Sequence, residues 1–563
     1  MTELTRREKL LAFGGILVVL FLTSLNLTVV GTALPRIIAE LQGFKLYAWA
    51  FTAYSLSSTV TLPIYGKLSD IYGRKRILMF GILLFSAASA LGGLAQSMPQ
   101  LIVIRGLQGL GGGALISMAF SAIGDIFTPR ERGAYQGFTG AVFGFSSVVG
   151  PLAGGLITDT IGWRWVFFVN VPIALIAMAV IMRYFPAPTQ RGSGRIDVVG
   201  SALLMLGIVP LLLALTWGGV DLPWTSLPIL ALFAASAALL GAFLWWQGRT
   251  ANPVLDPELF QSRTFNVANV GGFLSGVGMF GAVIYLPLYI QGVQGGSAAS
   301  SGFALTPLML GMVVSSTVAG LMVSRTGRYR PFILAGLATI TVGFLLNATM
   351  DTATPLLLTV AFSVLLGLGF GPTNSLFVLA VQNALPQSKL GTATSANMFF
   401  RQIGGTLGVA VFGAIVAATI SAQVQGSLGP QLSDLPPAVV EEFNSPNLLT
   451  SPDQLARARA EVEALAGGEA FTRLVSGLRE ALAAGLSRVF TVGALLSLIA
   501  FASSFLLPVL ELRTSHGPSE PLDDSPPTAS NDVATEERAG RSPPPATEPI
   551  RGRTGFRGGR PGR

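Results

Sequence analysis

The chain has 563 residues, of which 51% are hydrophobic and 11% are charged. Soluble domains carry about 25% charged residues, so this composition excludes a soluble enzyme and favours a membrane protein. The lack of cysteine excludes a cysteine metal site, and the single histidine, His516, lies in the polar tail and excludes intramembrane imidazole catalysis. The net charge is +8, and the basic residues lie between apolar runs, which indicates membrane orientation rather than nucleic-acid binding.

Fourteen apolar runs are each long enough to cross a membrane as a helix. The predicted spans are Leu10–Leu34, Trp49–Gly66, Ile77–Ala95, Leu101–Ile123, Phe138–Ile161, Val166–Met182, Val198–Trp217, Leu227–Trp246, Val267–Ile290, Ser301–Val323, Pro331–Thr349, Leu356–Leu379, Ala393–Ile420 and Leu486–Leu510. They predict an all-α integral membrane protein with about 14 transmembrane helices.

Lys and Arg are divided unequally between the two sets of connections. One set holds Arg6, Arg7, Lys9, Lys67, Arg74, Lys75, Arg76, Arg130, Arg132, Arg183, Arg191, Arg195, Arg249, Arg263, Arg325, Arg328, Arg330 and Lys389. The other short connections hold only Arg36, Lys45 and Arg164. Because positive residues mark the cytoplasmic side, we predict a multi-pass protein of the inner or plasma membrane with both termini cytoplasmic.

Two regions fall outside the predicted spans. The outer connection 421–485 contains a helix-like piece, Gln454–Leu482, which we interpret as a surface cap, with a partner-binding element as the alternative. The tail, 513–563, is rich in Pro, Ser and Gly and is predicted to be disordered. Its Arg/Gly end resembles RNA-binding segments, but a solvated cytoplasmic tail is the preferred interpretation, and no nucleic-acid partner is predicted.

One loop sequence occurs twice. GKLSDIYGRKR begins at Gly66 after the second span, and GLMVSRTGRYR begins at Gly320 after the tenth. The match predicts two copies of a six-helix bundle, 1–185 and 252–512, with two inserted central helices in 186–251. Parallel six-span halves are typical of transporters whose site lies at the interface between the halves.

Four motifs carry a resemblance to the major facilitator superfamily, and more narrowly to the fourteen-helix drug:proton antiporters of the EmrB/QacA type. The first is the repeated loop. The others are LIVIRGLQGLGGG at Leu101–Gly113, the Gly-rich segment of the fifth span that ends in GPLAGG at Gly155, and LNLTVVGTALP at Leu25–Pro35. The resemblance implies a secondary transporter that exports amphipathic small molecules by alternating access, driven by the proton gradient.

The resemblance also implies moving parts at two places. A cytoplasmic gate is implied at Gly66, Asp70, Gly73, Arg74, Arg76, Gly327, Arg328 and Arg330. The alternative for this loop is a topology anchor in contact with membrane lipids. An antiporter-motif bend is implied at Gly150, Pro151, Gly154 and Gly155. Simple close packing of a helix on its neighbour is the alternative there.

Arg105 and Asn26 are the two notable polar residues within the spans. A charge inside a span costs about 2.5–3.5 kcal/mol on insertion scales, so Arg105 needs partners or must reach the surface. At helical rise Arg105 lies about 6 Å below Leu101 and Asn26 about 12 Å below Leu34, so the two side chains could meet. The resembling antiporters have Asp where this chain has Asn26, and an amide cannot carry a proton.

Polar and aromatic residues of the inner spans are candidates for a substrate and coupling pathway with Asn26 and Arg105. They are Trp49, Tyr54, Gln108, Tyr285, Tyr289, Asn374, Asn397, Phe400 and Gln402. Aromatic surfaces with few charges suit amphipathic organic molecules. Arg401 is interpreted as an anchor near the cytoplasmic end of its span.

Other functions are weighed on what the sequence lacks. A membrane-embedded enzyme would need clustered acids, His or Cys, and an ATP-driven pump would need a phosphate loop; neither is found. We predict no enzyme activity, no cofactor and no metal. An importer or facilitator that is not driven by protons stays open because of Asn26. The oligomeric state also stays open, and a monomer is compatible with the sequence.

Overall fold

A computed structural model of the chain describes residues 5–41, 46–185, 196–219, 222–296, 298–424, 426, 446–449, 452–509 and 512. Within these residues the chain is helical and no named β-strand is present. The predicted disordered tail, 513–563, lies outside the described residues, as does most of 427–451.

The first half of the chain forms seven helices. They are α1 Arg6–Leu41, α2 Tyr47–Tyr72, α3 Arg74–Gly93, α4 Met98–Ile126, α5 Pro129–Thr160, α6 Arg164–Phe168 and α7 Asn170–Tyr184. The chain turns sharply between α2 and α3 because Gly73 has φ 88°, a conformation that favours glycine. The start of α5 is fixed by a capping box between Thr128 and Glu131. The predicted sixth span corresponds to α6 and α7 together.

Nine further helices follow within the described residues. They are α8 Val198–Trp217, α9 Leu227–Gln247, α10 Arg263–Leu288, α11 Ala298–Thr326, α12 Arg330–Ala348, α13 Leu356–Ala384, α14 Leu390–Gln423, α15 Pro452–Ala466 and α16 Gly468–Ser504. The pair α8 and α9 pack on each other, and α8 also contacts α2 and α14. A π-turn, Tyr289–Val293, extends α10.

Twelve segments of the described residues are long and apolar enough to cross a membrane. The helices α2 and α5 are not among the twelve, although they are 26 and 32 residues long. Their Ser, Thr and Gly residues lower the mean hydropathy, and both helices pack within the bundle, α2 on α4 and α5 on α1. The all-α membrane fold is confirmed, and the count of fourteen spans stays a prediction.

The contacts between the two halves follow the sequence repeat. Helices α2 and α5 are the second and fifth spans of the first copy, and α11 and α14 are the second and fifth of the second copy. The two main contacts between halves are α5 with α11 and α2 with α14. Exchanging the two copies converts one of these contacts into the other, so the interface is built on the repeat.

The helix-like piece predicted at Gln454–Leu482 is two helices rather than one. The chain breaks at Gly467, which has φ 86°, between α15 and α16. Helix α16 then runs without interruption into the span that was predicted to begin at Leu486. Leu474 and Leu478 are buried, so the apolar face of this outer extension packs on the protein.

The predicted topology can be tested without background labelling because the chain has no cysteine. Glu469 at the start of α16 and Thr326 at the end of α11 are both exposed. In intact cells, a membrane-impermeant maleimide is expected to label Glu469→Cys, since the outer connection is predicted to be extracellular. Thr326→Cys should be labelled only after permeabilisation. The reverse pattern would contradict the predicted orientation.

Candidate functional site: the contact between the halves and the buried polar clusters

Asp70, at the end of α2, joins the two halves of the protein. Its carboxylate accepts hydrogen bonds from the Gly391 backbone N–H at 3.0 Å and from the Thr392 backbone N–H and hydroxyl, both at 2.8 Å. These N–H groups belong to the first turn of α14, where a helix has unsatisfied donors and a partial positive charge. Asp70 therefore caps a helix of the other half, and we call this arrangement the Asp70 contact.

The Asp70 contact lies on the face where α1 begins, which we call the basic face because most connections rich in Lys and Arg are there. Arg74 is 3.4 Å from Asp70 and 2.9 Å from Asp125, so its guanidinium joins two carboxylates of the first half. Gly66 permits the close approach of α2 and α14, because a Cβ there would lie 2.7 Å from the Gly391 carbonyl oxygen.

The repeat-related position of the second half makes a different contact. Ser324 of α11 stands where Asp70 stands in α2, and its carbonyl oxygen accepts a hydrogen bond from Arg130 Nε at 3.1 Å. At the start of α5 the carboxylate belongs to the same helix. It is that of Glu131, which accepts a hydrogen bond from Thr128 N at 3.0 Å. The first turn of α14 instead receives its carboxylate from Asp70. The basic face is thus closed asymmetrically.

A second group of contacts on the basic face involves residues that the sequence analysis did not select. Gln136 Nε2 of α5 donates to Gln382 Oε1 of α13 at 2.8 Å, and Arg132 Nη1 donates to the Gln382 carbonyl oxygen at 3.2 Å. Gln382 Nε2 also donates to Phe120 O at 3.2 Å. The only signal in the sequence for these contacts was the presence of amide side chains in helices that face each other. Close packing of α5 on α11 at Gly133 adds to this closure.

The other predicted gate residues lie away from the contact between the halves. Arg76 is exposed, and Gly327 has φ 71° in the turn after α11. Arg330 Nη2 donates to the Phe505 carbonyl oxygen at 2.7 Å, which ties α12 to the end of α16 within one half. The backbone N–H of Arg328 donates to Thr326 Oγ1 at 3.4 Å.

A buried polar cluster lies within the first half, away from the basic face. Gln108 Nε2 donates to Asn26 Oδ1 at 3.1 Å and to Ser89 Oγ at 2.6 Å, so α4 is joined to α1 and α3. Asn170 Nδ2 of α7 lies 3.5 Å from the same Asn26 oxygen. Helices α1, α3, α4 and α7 thus each contribute a side chain to the cluster around the Asn26 amide. Asn26 is 1% exposed.

Arg105 is the charged member of this cluster, and it does not reach the surface. It is 0% exposed and donates from Nε to the Ala50 carbonyl oxygen at 3.0 Å and from Nη1 to Gln108 Oε1 at 2.5 Å. Its Nη1 is also 3.4 Å from Asn26 Oδ1, so the two residues meet. The guanidinium lies 4.4 Å from the centre of the Tyr54 ring. Its partners in the described part of the chain are neutral.

Several pathway candidates lie in packing contacts elsewhere. Trp49 meets Trp217 of α8 edge to face at 5.5 Å. The hydroxyl of Tyr285 donates to the Val409 carbonyl oxygen at 2.8 Å, and the hydroxyl of Tyr289 donates to the Asp351 carbonyl oxygen at 2.6 Å. The structure does not bring these residues to the Arg105 cluster. Phe400 and Gln402 are half-buried on α14.

The interpretation of Arg401 as a boundary anchor stays a prediction. Helix α14 begins at Leu390, so Arg401 lies eleven residues into it, which is about 16 Å at helical rise. Its Nη1 donates to the Asn374 carbonyl oxygen at 3.3 Å and also to the Asn374 side-chain oxygen. The helix thus begins three residues before the predicted span, which starts at Ala393.

The glycines of the predicted bend pack α5 on α1. A Cβ on Gly154 would lie 2.9 Å from the Val29 carbonyl oxygen, and one on Gly150 would lie 2.6 Å from Thr28 Cβ. Gly155, by contrast, has no atom within 4 Å of the position of a Cβ. The helix assignment continues through Pro151, whose side chain lies outside the described set.

This difference gives a matched test of the bend. Gly154→Leu is expected to abolish transport while the protein still reaches the membrane, because the side chain would separate α5 from α1. Gly155→Leu should leave transport close to that of the parent, since the space beside it is open. Transport of a fluorescent dye, normalised to the protein in the membrane, checks both variants. Equal transport in the two variants would show that close packing at Gly154 is not required.

Glu40 binds the two outer elements of the first half together on the opposite face. Its carboxylate accepts hydrogen bonds from Arg164 and, at 2.9 Å, from Trp163 Nε1. The hydrogen bond from Arg164, followed by that from Trp163, lowers the pKa of the Glu40 carboxyl, which is ionised at neutral pH. This contact lies within one half, unlike the Asp70 contact.

Two repeat-related helical halves that contact each other at one face and hold buried polar clusters are typical of an α-helical membrane transporter. Residues 16–409 match the profile of the Major Facilitator Superfamily, and the chain belongs to this family.

Relatives and solved structures agree with this assignment. The chain is 40% identical over 429 residues to the multidrug transporter protein MdtP of Bacillus subtilis, covering 76% of this chain and 79% of that protein. It is 39% identical over 401 residues to multidrug resistance protein 3 of Bacillus subtilis, covering 71% and 78% of the two chains. The fold is similar to that of the human organic anion transporter MFSD10, with a TM-score of 0.56, 15% identity and coverage of 89% and 99%.

Proposed function

We propose that the protein exports amphipathic drugs or lipophilic small molecules by alternating access. The observation that carries this proposal is the Asp70 contact, in which a carboxylate of one half caps a helix of the other. Such a contact can form and release while each half keeps its own packing. The multidrug names of the two Bacillus relatives support the direction and the class of substrate.

The described conformation is the one in which the basic face is closed. The Asp70 contact, the Gln136–Gln382 hydrogen bond and the packing of Gly133 on α11 all lie on this face. If this face is cytoplasmic, as we propose, the structure corresponds to an outward-facing or occluded state. Export then requires these contacts to release so that substrate can enter from the cytoplasm or the inner leaflet.

We also propose that the proton gradient drives export through Asp70. Proton binding would remove its negative charge and reduce its capacity to accept hydrogen bonds from the first turn of α14. The proton would therefore favour release of the basic face. Asp70 is a suitable site because it is a titratable carboxylate whose ionised form makes the contact between the halves, and coupling requires that the proton reach it from the side opposite the basic face.

A second candidate is an importer or facilitator of a small organic solute that is not driven by protons. The observation in its favour is the cluster around Asn26, where the groups that contact Arg105 are two amides, a phenol ring and a backbone carbonyl group. Amides do not change charge over the working range of pH. A carrier that depended on this cluster alone would not sense protons.

One experiment separates these candidates. Cells with and without the protein are loaded with cationic and neutral fluorescent dyes, and dye accumulation is measured with and without an uncoupler, with Arg105→Ala as the inactive control. The proposal expects lower accumulation in cells with the protein and recovery on adding the uncoupler. Higher accumulation would favour the importer, and lower accumulation that the uncoupler does not alter would remove proton coupling.

A further inference from the structure

Arg401 is a half-buried cation of the second half without an acidic partner within the described part of the chain. It forms no ion pair within the described part of the chain, and its hydrogen bonds there come from Nη1 to Asn374. The Nε and Nη2 donors of its guanidinium are left over. A charge at this depth is retained in membrane proteins when it serves a function, and it normally faces a cavity or the interior of the bundle.

A narrow cavity adjoins the Arg401 side chain between α10, α13 and α14. Its lining includes Ser275, Met279, Phe370, Asn374, Phe377 and Arg401. The free volume is about 10 Å³, close to what one water molecule requires. The cavity therefore admits a polar group of about that size, and any larger apolar part of a ligand has to lie outside it.

Ser275 supplies a second unused donor in the same cavity. It is 9% exposed, and its hydroxyl oxygen has no hydrogen-bond partner among the described residues. Buried hydroxyl groups in proteins are almost always hydrogen-bonded. Close approach of α10 to α14 keeps Ser275 beside Arg401, because a Cβ on Gly276 would collide with the Arg401 carbonyl oxygen. The Ser275 hydroxyl and the unused donors of Arg401 thus border one cavity.

Arg401 differs from Arg105 in its exposure, although Nη2 of Arg105 also has no hydrogen-bond partner among the described residues. Arg105 is 0% exposed and uses both Nε and Nη1 in hydrogen bonds to the protein, so the first half encloses it. Arg401 is half-buried, as is Asn374, which is the one residue of 369–383 that is not fully buried. Arg401 of α14 and Asn374 of α13 contact each other and are both partly exposed, which indicates that the Arg401 guanidinium is accessible from the space beside α13.

We propose that Arg401 and Ser275 form a subsite for the carboxylate of an amphipathic organic anion. The planar guanidinium presents parallel donors that match the two oxygens of a carboxylate, the Ser275 hydroxyl donates to one of these oxygens, and the apolar part of the ligand lies outside the cavity. This inference rests on the proposed function of exporting amphipathic molecules. It adds that carboxylates are preferred over neutral molecules of the same shape.

The test compares pyrenebutyrate with its methyl ester, which differ only in the charge of one group. Binding to the purified full chain in neutral maltoside detergent is measured by fluorescence anisotropy. The parent is expected to bind the carboxylate on the order of tenfold more tightly than the ester, the gain typical of one charge-assisted contact. Arg401→Gln should bind both compounds with affinities within about twofold. Arg401→Lys should retain part of the preference.

Arg488→Gln is the matched control, because Arg488 also lies in the second half but donates to Thr419 Oγ1. It should keep the full preference. The inference is overturned if the parent shows no preference, or if Arg401→Gln keeps it while ester binding is intact. It is also overturned if phosphatidylglycerol, but not phosphatidylcholine, displaces pyrenebutyrate, since a lipid phosphate would then occupy the subsite. Binding is measured without transport, so failure of the export proposal is detected separately in the dye accumulation assay.

Discussion

Asp70→Asn is expected to open the basic face and to stop net transport. The substitution removes the charge that faces the first turn of α14 and leaves one amide oxygen to accept from Gly391 and Thr392. Hydrogen bonds to charged groups are worth about 1.5–3 kcal/mol. A loss of this size changes the ratio of closed to open forms by about 10- to 100-fold. Because the transport cycle needs both forms, a carrier held open on one side cannot complete it.

Thiol labelling measures this opening directly in a chain that has no cysteine of its own. Val323 of α11 is 0% exposed, and a Cβ on Gly133 of the other half would lie 3.5 Å from it. A Val323→Cys probe in purified protein should react slowly with a maleimide in the parent and much faster when Asp70→Asn is added. Thr326→Cys, which is exposed, should react fast in both backgrounds.

The matched control for Asp70→Asn is Asp256→Asn. This substitution also removes a carboxylate on the basic face, but the partner of Asp256 is Lys389, at 2.6 Å, which belongs to the same half. We expect slow labelling of Val323→Cys and near-normal transport in this variant. Equal labelling in the Asp70 and Asp256 variants would mean that loss of charge, rather than release of α14, accounts for the effect.

Arg105→Ala is expected to lower transport by at least about tenfold, because several buried groups lose their donors at once. The Ala50 carbonyl oxygen and Gln108 Oε1 would lie in an apolar interior without the hydrogen bonds they now accept. Each unsatisfied buried group costs about 1–3 kcal/mol. The amide of Gln108, which also donates to Asn26 and Ser89, would turn to other partners and change the packing of α4 on α1.

Arg105→Lys distinguishes loss of charge from loss of geometry. A lysine ammonium keeps the charge but lacks the planar fork that reaches Ala50 and Gln108 together, so partial recovery of transport is expected. Dye transport and thermal unfolding of purified protein should be measured on both variants. Normal transport in Arg105→Ala would show that the cluster contributes only packing. Full activity of Arg105→Lys would show that charge alone is sufficient.

The sequence predicted most of the helices because long apolar runs and glycine turns are local signals. It also predicted that Asn26 and Arg105 could meet, since both lie at a similar depth below the ends of their spans. The repeated loop identified α2 and α11 as equivalent helices. The second copy has Ser324 where the first has Asp70, and the contacts on the basic face differ accordingly.

Other parts of the site could not be predicted because their signals are not local. The partners of Asp70 include the backbone N–H groups of Gly391 and Thr392. Because every residue except proline has such a group, the sequence does not indicate which of them Asp70 contacts. The Gln136–Gln382 hydrogen bond joins residues 246 positions apart. The depth of Arg401 depended on where α14 begins, and an anchor near a helix end has the same sequence pattern as a charge several residues further in.

Transport with the basic face held closed tests the central claim, alternating access between the two halves, most directly. Cysteines at Arg130 and Ser324, whose Nε and carbonyl oxygen are 3.1 Å apart, are joined by a short bifunctional thiol reagent in purified protein, and dye transport is measured in liposomes. Each single-cysteine variant treated with the same reagent is the control. We expect the cross-linked protein to lose transport and both controls to keep it. Full transport by completely cross-linked protein would contradict alternating access at this interface.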